Sequence, residues 1–377
     1  MNKTKTIFTN APIFFTLLLA FMLIGLPLYS QVQKVHIKSI QISGIKKTKK
    51  IAVLRYLNIK EGDSLSLEKL LPKIEENTKL VMNSKLFTDA QLKIVNWNNA
   101  DIELLLQVHE SWYVFPFPIV ELADRNFNVW WKEFDRDVRR MNLGLAVFWR
   151  NTFGFNDKMR FNIQFGFTRK FDIAYQIPAL GKKQKWGLYF DVHYSDNKES
   201  AFNTAGNKLL FYRDLESKTP QFTQFKSTVE LNYRRTNYEN HYFSIQFLKL
   251  QISDSIFARN PDFFLDGRKT QKSFTFNYEL VRDKRDVQTY PLKGYYFSFL
   301  IKKRGLGIYN DINQLWFTCN SSFYHKFGKK WSVGLVAEGR VSALNHKDPY
   351  YQQGALGFND SYVRGFQYYV INGQNYF

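Results

Sequence analysis

Residues 331–343 read WSVGLVAEGRVSA, and their alternation decides the fold. Trp331, Val333, Leu335, Ala337, Val341 and Ala343 fall on one side of a period of two, while Ser332, Gly334, Glu338, Arg340 and Ser342 fall on the other. That period is a strand's, because successive side chains point to opposite faces. The segment has the length a tilted membrane strand needs, roughly 9 to 11 residues. One face is wholly apolar and the other carries charge, as expected of a strand between lipid and a hydrated lumen.

The same pattern recurs upstream. Leu143, Leu145, Val147 and Trp149 oppose Asn142, Gly144, Ala146, Phe148 and Arg150; Met159, Phe161, Ile163, Phe165 and Phe167 oppose Arg160, Asn162, Gln164, Gly166 and Thr168. Further strands are expected near 171–177, 186–194, 225–234, 242–250, 273–281, 295–303 and 313–325, and a first one at Trp112 to Glu121. The polar faces carry charges of both signs: Arg160, Asp172, Asp191, Lys226, Glu230, Arg234, Glu279, Glu338 and Arg340. On the lipid face an unpaired charge would cost about 2 to 4 kcal/mol near the midplane. A soluble β-sandwich is the competing fold, but its strands would not need a charged face opposite the buried one so many times. Residues 196–222, with Asn203, Gly206, Asn207 and Pro220, read as a long loop. If the first strand enters from the periplasm, long loops follow odd-numbered strands and lie outside the cell.

Composition agrees. The 377 residues include 36 Phe, 22 Tyr and 8 Trp, which favours strands. A mean hydropathy of -0.37 decides nothing, because alternating strands average out. The formal charge of +20 reads as attraction to anionic head groups of outer-membrane lipid and lipopolysaccharide; no basic block is long enough for a nucleic-acid arm. Cys319, the single cysteine, excludes an internal disulfide and falls on a strand's apolar face.

Residues 1–30 read as a signal peptide: Lys3 and Lys5, an apolar run from Ile13 to Leu28, then Tyr29-Ser30 at the cleavage point. A membrane anchor is the alternative, but the run contains Gly25 and Pro27 and is shorter than the roughly 20 residues of a spanning helix. Residues 35–110 change period. Val35, Ile37, Ile40 after a slip, and Ile42 form a strand ending at Gly44; Ile51, Leu54, Tyr56 and Leu57 share a helical face, as do Leu67, Leu70, Leu71, Ile74, Leu80 and Val81; strands follow near 90–97 and 102–109. The order β-α-α-β-β predicts a three-stranded sheet covered by two helices.

With IQISGIKKTKK, KLFTDAQLKIV and DIELLLQVHE at its strands, this segment resembles a polypeptide-transport-associated (POTRA) domain. The resemblance implies a strand edge open to an extended peptide; a structural spacer is the alternative. Three further stretches carry a second resemblance: RDKRDVQTYPLKGYYF (282–297), with Arg282, Asp283, Arg285 and Asp286 closing one strand and Pro291 and Gly294 in the turn; WYVFPFPIVELADRNFNVWW (112–131); and Val363-Arg364-Gly365-Phe366, a plug motif after about eleven strands. Together they resemble the outer-membrane assembly and translocation barrels of the BamA and TamA type, the bacterial surface antigen barrels.

The resemblance implies an α+β periplasmic POTRA domain at 35–110, then an all-β antiparallel transmembrane β-barrel at 112–377. It implies about sixteen strands, of which about eleven are present, and on that ground the chain is expected to be a fragment, or else to be completed by a second chain. Arg364 would sit in the lumen against polar and acidic residues, with Glu338 its counter-charge and Arg340 a neighbour; an exposed loop arginine is the alternative. Pro116 and Pro118, two apart, put both missing N–H groups on one edge. That marks one side of a lateral gate, or only a linker to the barrel.

Enzyme signatures are absent. His109-Glu110 lacks a second zinc histidine, and Asp262 to Gly267 reads as a turn, not a calcium loop. No cofactor and no metal is expected. The expected function is outer-membrane protein assembly, in which unfolded β-barrel clients are received at the POTRA edge and inserted through the barrel seam. A pore secreting a specific partner protein is the alternative, and a passive channel the third reading. Periplasmic or lipoprotein accessory subunits are expected partners, and the Gram-negative outer membrane the location.

Overall fold

The computed structural model describes residues 34–123, 127–181, 184–236, 238–309, 311–328, 330–344, 348–357 and 370–377. The signal segment and the plug motif Val363 to Phe366 lie outside the described residues. The chain divides into two compact units, one of residues 1–45 and 53–110, the other of 46–52 and 111–377.

The first 110 residues run β1 (Lys34–Ser43), α1 (Lys50–Leu54), β2 (Ser64–Ser66), α2 (Leu67–Asn83), β3 (Phe87–Asn98) and β4 (Asp101–Glu110), all but the first three residues of α1 falling in the smaller unit. Its sheet order is β2-β1-β4-β3, with β1 parallel to β4 and β3 antiparallel to it. Alternation in β4 buries Ile102, Leu104, Leu106 and Val108; Val35, Ile37 and Ile40 of the neighbouring β1 and Leu70 and Val81 of α2 are buried too. Each such side chain contributes about 1.5 to 3 kcal/mol of burial. The slip in β1 is a register shift between Ile37 and Ser39.

Three details differ from expectation. The sheet has a fourth strand, since β2 pairs with Lys34 to His36. The first helix stops at Leu54, and beyond it the Asn58 N–H donates to Asn77 Oδ1 at 2.5 Å, so a side chain of α2 takes a backbone donor of the connection. Finally, α2 buries Leu70, Asn77 and Val81, leaving Leu71 66% exposed. Asn77 occupies the inward stripe, and its Nδ2 donates to Lys73 O at 2.7 Å, so the stripe contains a satisfied polar group that a search for apolar spacing misses.

The larger unit contains β5 (Val114–Leu122), α3 (Phe127–Lys132), β6 (Met141–Arg150), β7 (Lys158–Gly166), β8 (Thr168–Leu180), β9 (Trp186–Asn197), β10 (Glu199–Ala205), β11 (Lys208–Arg213), β12 (Phe222–Thr236), β13 (Glu239–Ile252), α4 (Asp254–Arg259), β14 (Thr270–Asp283), β15 (Gly294–Arg304), β16 (Gln314–Phe327), β17 (Trp331–Ser342), β18 (Gly354–Gly357) and β19 (Val370–Asn372). Eleven of these strands form one antiparallel sheet, ordered β17-β16-β15-β14-β13-β12-β9-β8-β7-β6-β5. Each pairs with its neighbour in sequence except across β10 and β11, which pair only with each other. Residues 196–222 therefore hold a hairpin where an irregular loop was expected. No described helix is long and apolar enough to cross a membrane.

Cross-strand register places every expected lumenal charge on one face: Arg160 opposes Ala174, Asp172 opposes His193, Asp191 opposes Thr228, Glu230 opposes Ser244 and Arg340 opposes Thr318. The other face exposes Leu143, Ile163, Ile173, Val229, Ile245, Val333 and Leu335. Cys319, exposed, lies on that face. Connections after odd-numbered strands are mostly long, at 123–140, 198–221, 253–269 and 305–313, but β7 and β8 are joined by Phe167 alone. Gly166 makes this turn possible with φ +127°. At the end of the sheet where the long connections emerge, Phe222, Leu248, Leu250, Ile252, Ile256, Phe263 and Phe264 form a buried cluster joined by Phe202, Tyr212 and Tyr350.

Candidate functional site: two sheet edges and the lumenal face

The eleven-stranded sheet has two ends among the described residues, β5 and β17. On β5, Arg150 N–H donates to Tyr113 O and Ala123 N–H to Arg140 O, both at 2.8 Å, which fixes the hydrogen-bonding phase. Odd-numbered residues of β5 pair with β6, so the backbone groups of even-numbered residues point to the opposite edge. Pro116 and Pro118 are even-numbered. Both missing donors therefore lie on the free edge, and the pairing with β6 loses nothing.

On β17 the phase is set by Ala343 N–H donating to Leu315 O at 2.9 Å, so even-numbered residues face outward. There Arg340 N–H donates to Tyr376 O at 2.9 Å, and Tyr376 N–H returns to Arg340 O at 3.0 Å. The Ser342 N–H donates to Asn375 Oδ1 at 2.6 Å. Residues 374–377 thus lie along the upper part of the β17 edge.

Side chains reinforce this contact. The Arg340 guanidinium donates to the carbonyls of Gly373 (2.9 Å), Gln374 (3.2 Å) and Gly354 (3.4 Å), and lies 4.6 Å from the Trp316 ring centre and 4.8 Å from that of Tyr376. Glu338 accepts from the Tyr376 hydroxyl at 2.6 Å. Arg364, expected opposite Glu338, lies outside the described residues. The structure brings Glu338 and Arg340 together on one face, with Tyr376 shared between them.

The 282–297 motif is a self-contained clamp. Arg285 donates to both oxygens of Asp283, Nε at 2.9 Å and a terminal nitrogen at 2.7 Å, while Gln288 reaches the same carboxylate at 3.2 Å. Asp286 Oδ1 accepts from the N–H groups of Val287 and Leu292 at 3.0 Å and Lys293 at 3.3 Å. Burial pushes the Asp286 carboxyl up, but these backbone donors outweigh it and hold it below the ordinary aspartate range. The Asp283 contact raises Arg285. At Gly294, φ is +104°, and a Cβ would sit 2.2 Å from Lys284 O. Pro291 lies in this turn, and Arg282 stacks over Tyr295 at 6.0 Å.

Across the lumenal face, hydrogen bonds join neighbouring strands: His193 with Asp172, Asn162 with Asp172 at 3.4 Å, Asn277 with Ser244 at 3.0 Å and Asn320 with Ser298 at 3.3 Å, beside a Lys226–Asp191 ion pair at 3.4 Å. Such bonds engage the amide nitrogens of Asn162, Asn277 and Asn320, while the Oδ1 atom of each is buried with no partner among the described residues. Sequence reasoning missed Lys302, Arg304 and Trp316, which the register brings beside Arg340; their strand period was visible, but not the alignment of one strand with the next. No group of three or more His, Cys, Asp or Glu placed to hold a metal occurs among the described residues.

A wide sequential antiparallel sheet, apolar on one face and charged on the other, with a proline-bearing free edge, defines an outer-membrane β-barrel protein. The chain belongs to the Omp85 superfamily: the family described as "Omp85 superfamily domain" matches residues 151–374. Among solved structures it is similar to BamA from Haemophilus ducreyi lacking POTRA domains 1-3, with a TM-score of 0.60 and 12% identity over 88% of this chain and 60% of that one. It is also similar to CdiB from Acinetobacter baumannii (TM-score 0.51, 13% identity, 91% of this chain and 59% of that one) and CdiB from Escherichia coli (0.52, 12%, 91% and 60%). The chain spans about three fifths of the length of these structures. No curated protein sequence matches it.

Proposed function

We propose that the protein is an outer-membrane assembly factor that receives unfolded β-barrel clients on its small domain and inserts them at the edge of β5. The observation that carries this reading is the β5 edge, where Pro116 and Pro118 remove two donors from the side facing away from β6. An edge so interrupted pairs weakly with any closing strand and opens at low cost. The small domain supports the reading. The outer side of its β1 is occupied by β2, by Gly62 N–H donating to Ile37 O at 2.8 Å and by Glu61 accepting from Ile40 N–H at 3.0 Å. That leaves β3, with Val95 45% and Trp97 50% exposed, as the edge for an extended client. No catalytic step and no cofactor enter this function; outer-membrane lipid and accessory subunits are its proposed partners.

Disulfide crosslinking between Trp112 to Glu121 and the closing strand tests the gate. Locking the two together should slow client insertion, and replacing both prolines by Thr should do so more mildly. Full-rate assembly with the seam locked would leave only the linker reading. Arg364 is proposed to hold the plug through a lumenal charge contact, so Arg364→Ala should lower client assembly and loosen heat-modifiability on gels. Unchanged values of both would remove that role. Similarity to CdiB favours a second reading, secretion of a partner protein. Depletion separates the two: general loss of outer-membrane proteins marks assembly, and loss of one secreted protein marks secretion.

A further inference from the structure

The apolar face of the large sheet carries Arg282 near its margin. Register puts Arg282 of β14 in one row with Phe297 of β15, Ser321 of β16 and Ala337 of β17, and Ala337 shares its side of β17 with Val333 and Leu335. The guanidinium lies 6.0 Å from the ring centre of Tyr295, which stands one row nearer the turn 284–293. Among the described residues the Arg282 side chain has no ion pair and no hydrogen bond. Glu239, across from it on β13, is taken by Arg235 at 2.8 Å and His241 at 3.3 Å, and Asp283 is held by Arg285. A charge on this face is tolerated near the head groups and not at the midplane, so Arg282 marks the head-group level.

A groove adjoins it. Arg282, Tyr295, Phe297, Phe323, Leu335 and Ala337 line an open hollow of about 580 Å³. Side-chain size makes the hollow: Ser321 and Ala337 are small beside Phe297, whereas the next row towards the turn, Tyr295, Phe323 and Leu335, is large throughout. Phe323 and Leu335 are 53% and 66% exposed, so the groove offers apolar surface beside its one guanidinium. An occupant matched to it joins an anionic group to a hydrocarbon body. A guanidinium fits phosphate oxygens two at a time, and a tyrosine ring suits the boundary between head groups and chains. Lipid already borders this face, so the occupant is a lipid and not a second protein. We propose that the groove binds one glycerophospholipid of the periplasmic leaflet, with its phosphate on Arg282 and an acyl chain in the hollow beside Ala337. The leaflet follows from the turn 284–293, which lies at the opposite end of the sheet from the long connections. The site does not depend on whether clients are inserted or secreted, because lipid binding is measured without either process.

The experiment uses purified full-length protein in detergent micelles, with bound lipid counted by native mass spectrometry. Phosphatidylglycerol and a diacylglycerol with the same chains are titrated into the parent, Arg282→Gln and Ala337→Phe, and inorganic phosphate is added as competitor. The parent should retain one phosphatidylglycerol saturably and bind the diacylglycerol about tenfold more weakly, since only the first carries the group for Arg282. Arg282→Gln should weaken phosphatidylglycerol about tenfold and leave the diacylglycerol unchanged, and Ala337→Phe, which fills the hollow, should weaken both. Equal binding of the two lipids by the parent overturns the proposal, as does phosphatidylglycerol bound by Arg282→Gln at the parent's level. Displacement of the lipid by inorganic phosphate at equal concentration also overturns it, because the site would then recognise the anion without its chains. Should Arg282→Gln fail to fold, unchanged phosphatidylglycerol binding in Ala337→Phe is the overturning result.

Discussion

At Asp286 and Gly294 the chain uses two residues to fix one turn between membrane strands. Asp286 has its carboxyl lowered by backbone donors, so its contribution is present above the unfolded carboxyl range, about pH 4, and is lost as pH falls through the lower folded value. Asp286→Ala should therefore lower the melting temperature at pH 7, and the gap from the parent should narrow in thermal melts at pH 3. A gap independent of pH would mean that packing, not charge, holds the turn. Gly294→Ala meets both a left-handed φ and a carbonyl at 2.2 Å, which should cost about 1 to 3 kcal/mol or more in urea unfolding. The order strand, turn, strand was legible in this motif, but its bounds were not: β14 stops at Asp283, which puts Arg285 and Asp286 in the turn, and Gly294 opens β15. Nor was its pairing of Asp283 with Arg285 legible, because adjacent charges of both signs do not announce which partner each will choose.

For single elements, the period of two was enough to locate all eleven strands of the large sheet, since lipid on one side and polar groups on the other leave no second solution for a strand's orientation. The hairpin of β10 and β11 escaped notice because its strands are short, at seven and six residues, and neither keeps a clean alternation: Leu209, Leu210, Phe211 and Tyr212 run consecutively in β11. The α2 stripe was misjudged at Leu71 because Asn77 takes an inward position. Facing also yields a quantitative test. Ile245 is central in β13, 53% exposed on the apolar face, and Gln246 beside it faces the lumen, donating to Thr228 at 3.4 Å. Ile245→Arg should cost about 2 to 4 kcal/mol in folding into lipid vesicles, and Gln246→Arg much less. Equal costs would contradict the assigned faces.

Over the larger unit, the buried aromatic cluster at the end of the sheet joins parts of the chain that are far apart in sequence. Phe263 and Phe264 are 1% and 0% exposed, and Phe263 packs 5.6 Å from Tyr350 and 6.4 Å from Phe222. Nothing local marks Asp262 to Gly267 as more than a turn; burial there is imposed by partners from β12 and the segment after β17. Phe263→Ala should destabilise by about 3 to 5 kcal/mol, and if the cluster seals that end, single-channel conductance should rise as well. Conductance at the parent's level, with stability lost, would confine the cluster to a packing role.

The strictly consecutive order of the large sheet bears on how the molecule comes to exist. Because each strand finds its partner in the segment just before it, with one hairpin set aside, the structure can be laid down like a ribbon from either end, its growing margin always the newest strand. Distant closure is deferred, so the entropy lost at each step is that of a short connection. A protein arranged in this way can be built by the same edge-by-edge addition that it is proposed to perform on others.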